Sequence, residues 1–198
     1  MGTGSKALLI AAGIAAIGCG MPGAHALEAP LKQLAPGTVF SFTTADNGTV
    51  KVTVTKMEGV SIFQSQEGSS SGRDNNENVG FGATLAESRR ETMTSSQRED
   101  VAKLFPLKVG NSTSSGHAGS GPRGPFAVMD RLEVTGTEKI TVPAGTFETF
   151  VISTSMKDSN WWGQNTCWYA PEIGYCAKRK WRSATTSSDW ELTSVALP

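Results

Sequence analysis

His117 lies among Ser114, Ser115 and Ser120, and a serine beside an imidazole is the pairing that nucleophilic catalysis uses. A base must also be held within hydrogen-bond reach of its target. This imidazole sits in a Gly/Ser/Pro-rich stretch from Asn111 to Pro125 that reads as a loop, and no G-x-S-x-G elbow occurs. His117 is therefore expected to face solvent. Carboxylate pairs cleave glycosidic bonds without histidine when they face each other at about 5–10 Å. Nothing in the spacing of the acidic residues from Glu87 to Asp189 sets two of them opposite one another. Glu148, on an expected central strand, is the one carboxylate whose surroundings could be unusual. A carbohydrate-active enzyme is thus a minor alternative, and a non-enzymatic protein is the expectation.

Cys167 and Cys176 enclose Trp168-Tyr169-Ala170-Pro171-Glu172-Ile173-Gly174-Tyr175. A metal or redox site needs more ligands or a closer spacing than this, so neither a metal nor another cofactor is expected. In an exported chain an even pair favours a disulfide. Closing so short a loop contributes about 2–3 kcal/mol by the chain-entropy account.

All five tryptophans lie from Trp161 onward. Trp161 and Trp162 follow Lys157-Asp158-Ser159-Asn160 and precede Gly163-Gln164-Asn165, which places them at a loop tip. Adjacent side chains on extended backbone point to opposite sides, so at least one of the two rings is left partly exposed. Trp181 and Trp190 read first as core residues of neighbouring strands. Aromatic rings offer large apolar area with few rotamers to freeze, and Trp161, Trp162 and Trp181 are the candidate ligand-binding set.

The elements that must position these residues belong to an exported chain. Met1–Lys6 is short and positive, Ala7–Ile17 is apolar, and Ala24-His25-Ala26 is a small-residue site for a signal peptidase. The apolar run is shorter than the about 20 residues of a spanning helix. The reading is a signal peptide over 1–26, cleaved after Ala26, and a single β domain over 27–198. Ala16-Ile17-Gly18-Cys19 is an imperfect lipobox, so acylation at Cys19 is the alternative. The chain is expected to be periplasmic or secreted, with an outer-membrane lipoprotein as the second option and a membrane partner only in that case. Eighteen basic and eighteen acidic residues balance, and they are scattered, which gives no footprint for nucleic acid.

Periodicity two dominates. Phe40 and Phe42, then Val50, Val52 and Val54, alternate with polar neighbours around an Asp46-Asn47-Gly48 turn. Gln66–Asn78 has little to bury and reads as a loop. Val79, Phe81, Ala83 and Leu85 suggest another strand, paired with Ser88–Thr94. Ser96-Gln97-Arg98-Glu99 resembles a capping box, opening a short helix near 96–104 that Phe105-Pro106 ends. From Phe126 the chain is nearly all strand: Phe126–Val134, Lys139–Val142, Phe147–Thr154, then a hairpin of Thr166–Ala170 and Tyr175–Arg182, and finally Trp190–Leu197. The expected fold is antiparallel all-β, a sandwich or a curled half-barrel with one short helix.

Three phrases in order carry a family resemblance: Pro106-Leu107-Lys108-Val109-Gly110, Val142-Pro143-Ala144-Gly145-Thr146-Phe147, and Trp168-Tyr169-Ala170-Pro171-Glu172-Ile173-Gly174. The chain resembles an uncharacterised family of exported bacterial β-rich proteins, similar in build to the envelope half-barrels that carry lipids and lipoproteins. The resemblance covers roughly Pro36 to Leu197 and carries over no catalytic residue. It implies an envelope protein that binds an apolar or amphipathic ligand, a lipid or glycan, or another envelope protein. A structural or interaction protein without a ligand cavity is the alternative. Residue by residue, the second and third phrases are architectural. Pro143 and Gly145 shape one corner, and Pro171 and Gly174 shape the next.

Overall fold

The computed structural model describes residues 27–45, 48–68, 73–81, 93–121, 124–157 and 161–198. The segment expected to be a signal peptide, with Cys19 and Ala26, lies outside the described residues, as do Asp46 and Asn47 of the first turn, Ala83, Leu85 and most of the strand expected after them. The side chain of His117 is likewise outside them.

Ten strands and one helix follow in order: β1 (Val39–Thr44), β2 (Thr49–Glu58), β3 (Ser61–Glu67), β4 (Arg73–Asn78), α1 (Ser95–Ala102), β5 (Ser112–Gly121), β6 (Gly124–Val142), β7 (Gly145–Lys157), β8 (Trp162–Ala170), β9 (Tyr175–Ser183) and β10 (Ser187–Ala196). They form one antiparallel sheet ordered β4-β3-β2-β1-β10-β9-β8-β7-β6-β5. The sheet is not closed, and an antiparallel all-β fold with one short helix is what the sequence predicts. The chain starts at one flank, crosses to β5 at the far edge, and fills the middle on the way back through β6 to β10.

Alternation does what the sequence predicts in β2, where Val50, Val52 and Val54 are all buried. The inward face also carries Phe40, Phe42, Leu132, Ile152, Tyr169 and Leu192. Burial of each such side chain contributes about 1.5–3 kcal/mol. Phe40 stacks on Tyr175 with ring centroids 4.5 Å apart, and the Tyr175 hydroxyl donates to Gln64 Oε1 at 2.9 Å. Burial pushes that phenol up to about 12, so it stays neutral.

Several sequence expectations change. Gln66–Asn78 is not all loop: Arg73–Asn78 forms β4 on the outside of β3. Asn111–Pro125 is not loop either, because Ser112–Gly121 pairs with β6 over ten consecutive residues. Neither segment has the alternating apolar residues that announce a strand; a neighbour's ladder holds each in place. Val79 and Phe81 are buried but outside any strand. They cross the inward face, where Cys176 N donates to Gly80 O at 3.2 Å and Phe81 packs edge-on to Tyr169. The helix also starts earlier than expected. Thr94, not Ser96, is its N-cap, accepting from Gln97 N while the Gln97 side chain reaches back to the Thr94 amide.

The two corner phrases behave as read. Val142 pairs with Gly145 across the β6–β7 turn, and Gly145 has φ +142°. Strands expected as Phe126–Val134 and Lys139–Val142 are one long β6, bent where its register slips between Val134 and Gly136. The far end of this hairpin reaches over the outer side of the sheet: Ala144 N donates to Leu192 O at 3.0 Å, and Trp168 Nε1 to Glu138 at 2.7 Å. Phe147 and Phe150 are buried on opposite sides of β7, as expected of a central strand covered twice.

Candidate functional site

Cys167 and Cys176 are joined, with Cα atoms 5.6 Å apart, and both are buried. The bond ties Cys167, three residues before the end of β8, to Cys176, the second residue of β9. It leaves the rest of these two strands to run on toward the end of the sheet that carries Trp161 and Trp162.

Register decides what happens at that end. Cross-strand pairs share a face, so Thr154, Asn165 and Trp181 form one inward row, and Met156 and Gly163 form the next. Trp161 and Trp181, both half-buried, stack with ring centroids 6.0 Å apart and planes 30° off parallel. They close over Gly163. A Cβ there would come 2.5 Å from Trp181 and 2.6 Å from Trp161, so the two rings occupy the space a side chain would need. Trp181 Nε1 donates to Thr186 Oγ1 at 3.3 Å.

Beneath the pair the sheet is polar and buried. Asn165 donates to Phe81 O at 3.0 Å and accepts from Arg179 Nε at 2.7 Å. The Arg179 guanidinium lies 5.2 Å from the centre of the Trp190 ring, and Trp190 packs on Phe42. The Thr154 hydroxyl, fully buried beside Asn165, has no hydrogen-bond partner among the described residues. A buried hydroxyl of that kind is costly to leave unmet.

Of the three tryptophans expected to bind a ligand, the fold brings two together. Trp162 is on the opposite, outward face, paired in register with Lys157 and 47 % exposed. A single groove lined by Trp161, Trp162 and Trp181 is therefore not formed, for the reason that adjacent strand residues diverge. Trp190 is packed against the core as expected. Trp168 is on the outward face, flanked by the Lys178 and Lys180 ammonium groups at 5.9 and 5.7 Å.

Two of the carboxylates the sequence offers are held by cations. Glu148, which the sequence singled out, is a largely exposed partner of Lys139 at 3.0 Å, so its surroundings are not unusual. Asp189 is gripped by both terminal nitrogens of Arg182, and those bonds hold its carboxyl below the usual range. Glu148 and Lys139 border an open depression of about 420 Å³ at the opposite end of the sheet, near Leu27, Phe150 and Pro171. No group of three metal-ligating side chains occurs among the described residues.

A second buried polar cluster escaped sequence reasoning. Glu77 of β4 accepts from Arg98 of α1, from Ser61 of β3 and from Met93 N at 2.9 Å. Burial alone would raise the Glu77 carboxyl, but hydrogen bonds from Arg98, Ser61 and Met93 outweigh it and hold the group below its ordinary value. Because α1 also packs on β5, the helix contacts both edges of the open sheet. No motif marks Glu77; the only hint is an acid in a run of asparagines that lacks any other anchor.

Residues 110–181 match the DUF3108-like family. Among solved structures, the hypothetical lipoprotein YmcC from Escherichia coli K12 is similar in fold, with a TM-score of 0.50 at 13 % identity over 84 % of this chain and 90 % of that one. A protein with YmcC-like fold from Bacteroides fragilis aligns over 85 % of this chain and 99 % of its own, with a TM-score of 0.43 and 12 % identity. No curated protein matches the sequence. The family match and the likeness to YmcC fit the β-rich fold of the resemblance drawn from the three phrases.

Proposed function

We propose that this chain is a non-catalytic, exported protein of the bacterial envelope that holds an apolar or amphipathic ligand against Trp161 and Trp181. The observation that carries the reading is the stacked, half-exposed indole pair at the end of the inward face. Indoles give apolar area with a polar edge, which suits a ligand with an acyl or ring body and a polar group. The disulfide-tied hairpin supports the strands that present the pair.

Native mass spectrometry of protein purified from its own host tests this. A co-purified lipid or glycan, lost in Trp181→Ala with the fold retained, is the expected result. A ligand-free parent protein that also fails to bind lysophosphatidylcholine would sink the reading. The alternative, an interaction protein without a ligand cavity, draws on one feature: Phe81, Phe105 and Tyr169 pack together over the middle of the inward face. It predicts the ligand-free outcome.

A further inference from the structure

Two of the large apolar side chains exposed to solvent lie in one row across the sheet. Gly116, Met129, Lys157 and Trp162 are cross-strand neighbours on β5, β6, β7 and β8. Their inward-facing neighbours Ser115, Asp130, Met156 and Gly163 are buried, so the row faces outward. Met129 is 57 % exposed and Trp162 47 %. Met129 lies across Gly116 of β5, its methyl 3.5 Å from where a Cβ on that glycine would be, an ordinary packing contact. Isolated apolar residues on a surface need no explanation; two in one row at the end of a sheet, with a lysine between them, do.

Charge is graded away from this row. Lys157 has no carboxylate partner among the described residues. The next outward row carries Arg131 and Arg182 and no acid. Carboxylates begin only in the third row, where Glu133 and Asp189 turn toward those arginines. Among the described residues this end of the sheet is thus apolar with one unpaired lysine, and the nearest acids, Glu133 and Asp189, are taken up by Arg131 and Arg182; Asp158, next in the chain to Lys157, lies outside the described residues. Tryptophan favours the headgroup level of a bilayer, lysine stretches its stem over apolar surface while its ammonium stays wet, and each basic residue near an anionic leaflet adds about 1 kcal/mol of attraction.

We infer that the Met129–Lys157–Trp162 row is a docking surface for an anionic membrane. Trp161, next in the chain to Trp162, belongs to the inward indole pair, so docking by this row sets that pair at the membrane surface. An amphipathic ligand then passes between bilayer and protein without crossing bulk water. This route rests on the proposed ligand site; the docking itself does not.

Flotation of the disulfide-bonded mature chain with phosphatidylethanolamine/phosphatidylglycerol vesicles, against phosphatidylcholine vesicles, tests docking separately from ligand capture. The parent is expected to float with the anionic vesicles and to be released by salt. Lys157→Glu reverses one charge and should weaken binding about tenfold or more, as should Trp162→Ser combined with Met129→Ser. Unchanged near-ultraviolet circular dichroism would show that these surface variants are folded. Trp181→Ala should float like the parent, even where it abolishes ligand capture. A parent chain that ignores anionic vesicles overturns the inference, as do row variants that float undiminished or a row that cross-links to a protein and not to lipid.

Discussion

Arg98 on α1 meets Glu77 on β4 in a two-pronged ion pair, Nε to Oε1 at 2.8 Å and Nη2 to Oε2 at 3.0 Å. The carboxylate is wholly buried, while the arginine keeps about a third of its side chain in water. Together with the packing of α1 on β5, this pair carries the helix between the two open edges of the sheet. Exposed sheet edges invite pairing with other chains, so a helix fastened there is worth more than its eight residues suggest.

Arg98→Ala is therefore expected to be costly. It strands a buried carboxylate with only Ser61 and one backbone amide, and broken buried pairs cost about 3–5 kcal/mol. The partial exposure of Arg98 puts this one near the lower bound. Lys139→Ala, which breaks an exposed pair with Glu148, should change stability by less than about 0.5 kcal/mol. Urea unfolding of the two variants checks the contrast; equal midpoints would refute the role given to the buried pair.

Acid should act through the same pair. The folded Glu77 carboxyl is held below its ordinary value of 4.5, so the unfolded chain takes up the proton at a pH where the folded chain still resists it. The stability from this depressed group is complete above the unfolded value and is lost as pH falls through the folded one. Glu77→Gln has no such proton to gain. The gap in stability between parent and Glu77→Gln should be constant above about pH 5.5 and shrink on acidification below about pH 4.5. A gap that stays flat to pH 3 would rule this out.

How far the sequence discloses the molecule depends on what holds each element. β2 is legible because Val50, Val52 and Val54 state its inward face themselves, and the Pro171–Gly174 turn is legible because its residues set its backbone. β5 is illegible: Ser112–Gly121 has serines and glycines where a strand signal would be, and only the β6 ladder makes it extended. Thr94 as N-cap was two residues from the expected serine, a shift that tertiary packing decides because both residues can cap. At the site, opposite facing of Trp161 and Trp162 follows from strand geometry alone. That Trp161 meets Trp181, however, depends on the β8–β9 register and on the bare backbone at Gly163. Glu77 and Arg98 lie 21 positions apart, on elements whose approach no local pattern announces.

The disulfide should add stability without being needed to form the hairpin. Cys167 and Cys176 close a short loop in the unfolded chain, for which the entropy account gives about 2–3 kcal/mol, while the β8–β9 ladder extends well past the bond to Gly163 and Ser183. Replacing both cysteines with alanine should lower the unfolding free energy by that amount, with a lower midpoint, and leave the strand content of the circular dichroism spectrum intact. Both sulfurs are buried, so reductant should act on the native protein only as fast as it opens. A double variant that unfolds at the parent's midpoint would show that the bond constrains nothing the ladder does not.

The indole pair offers an optical test. Stacked at 6.0 Å, Trp161 and Trp181 should give an exciton couplet in the far-ultraviolet circular dichroism. Trp161→Phe and Trp181→Phe should each abolish it, and Trp162→Phe, on the other face, should leave it. Gly163→Ala is the informative change. Its methyl would lie 2.5 and 2.6 Å from the two ring edges, distances no packed Cβ sustains, so the rings must swing apart. Overpacking usually costs about 1–3 kcal/mol; here the rings are half-exposed and can move into solvent, so the expected loss is at the low end while the couplet disappears. A couplet that survives Gly163→Ala would mean the rings already sit clear of the strand, and the space above Gly163 would then be open to a ligand without any rearrangement.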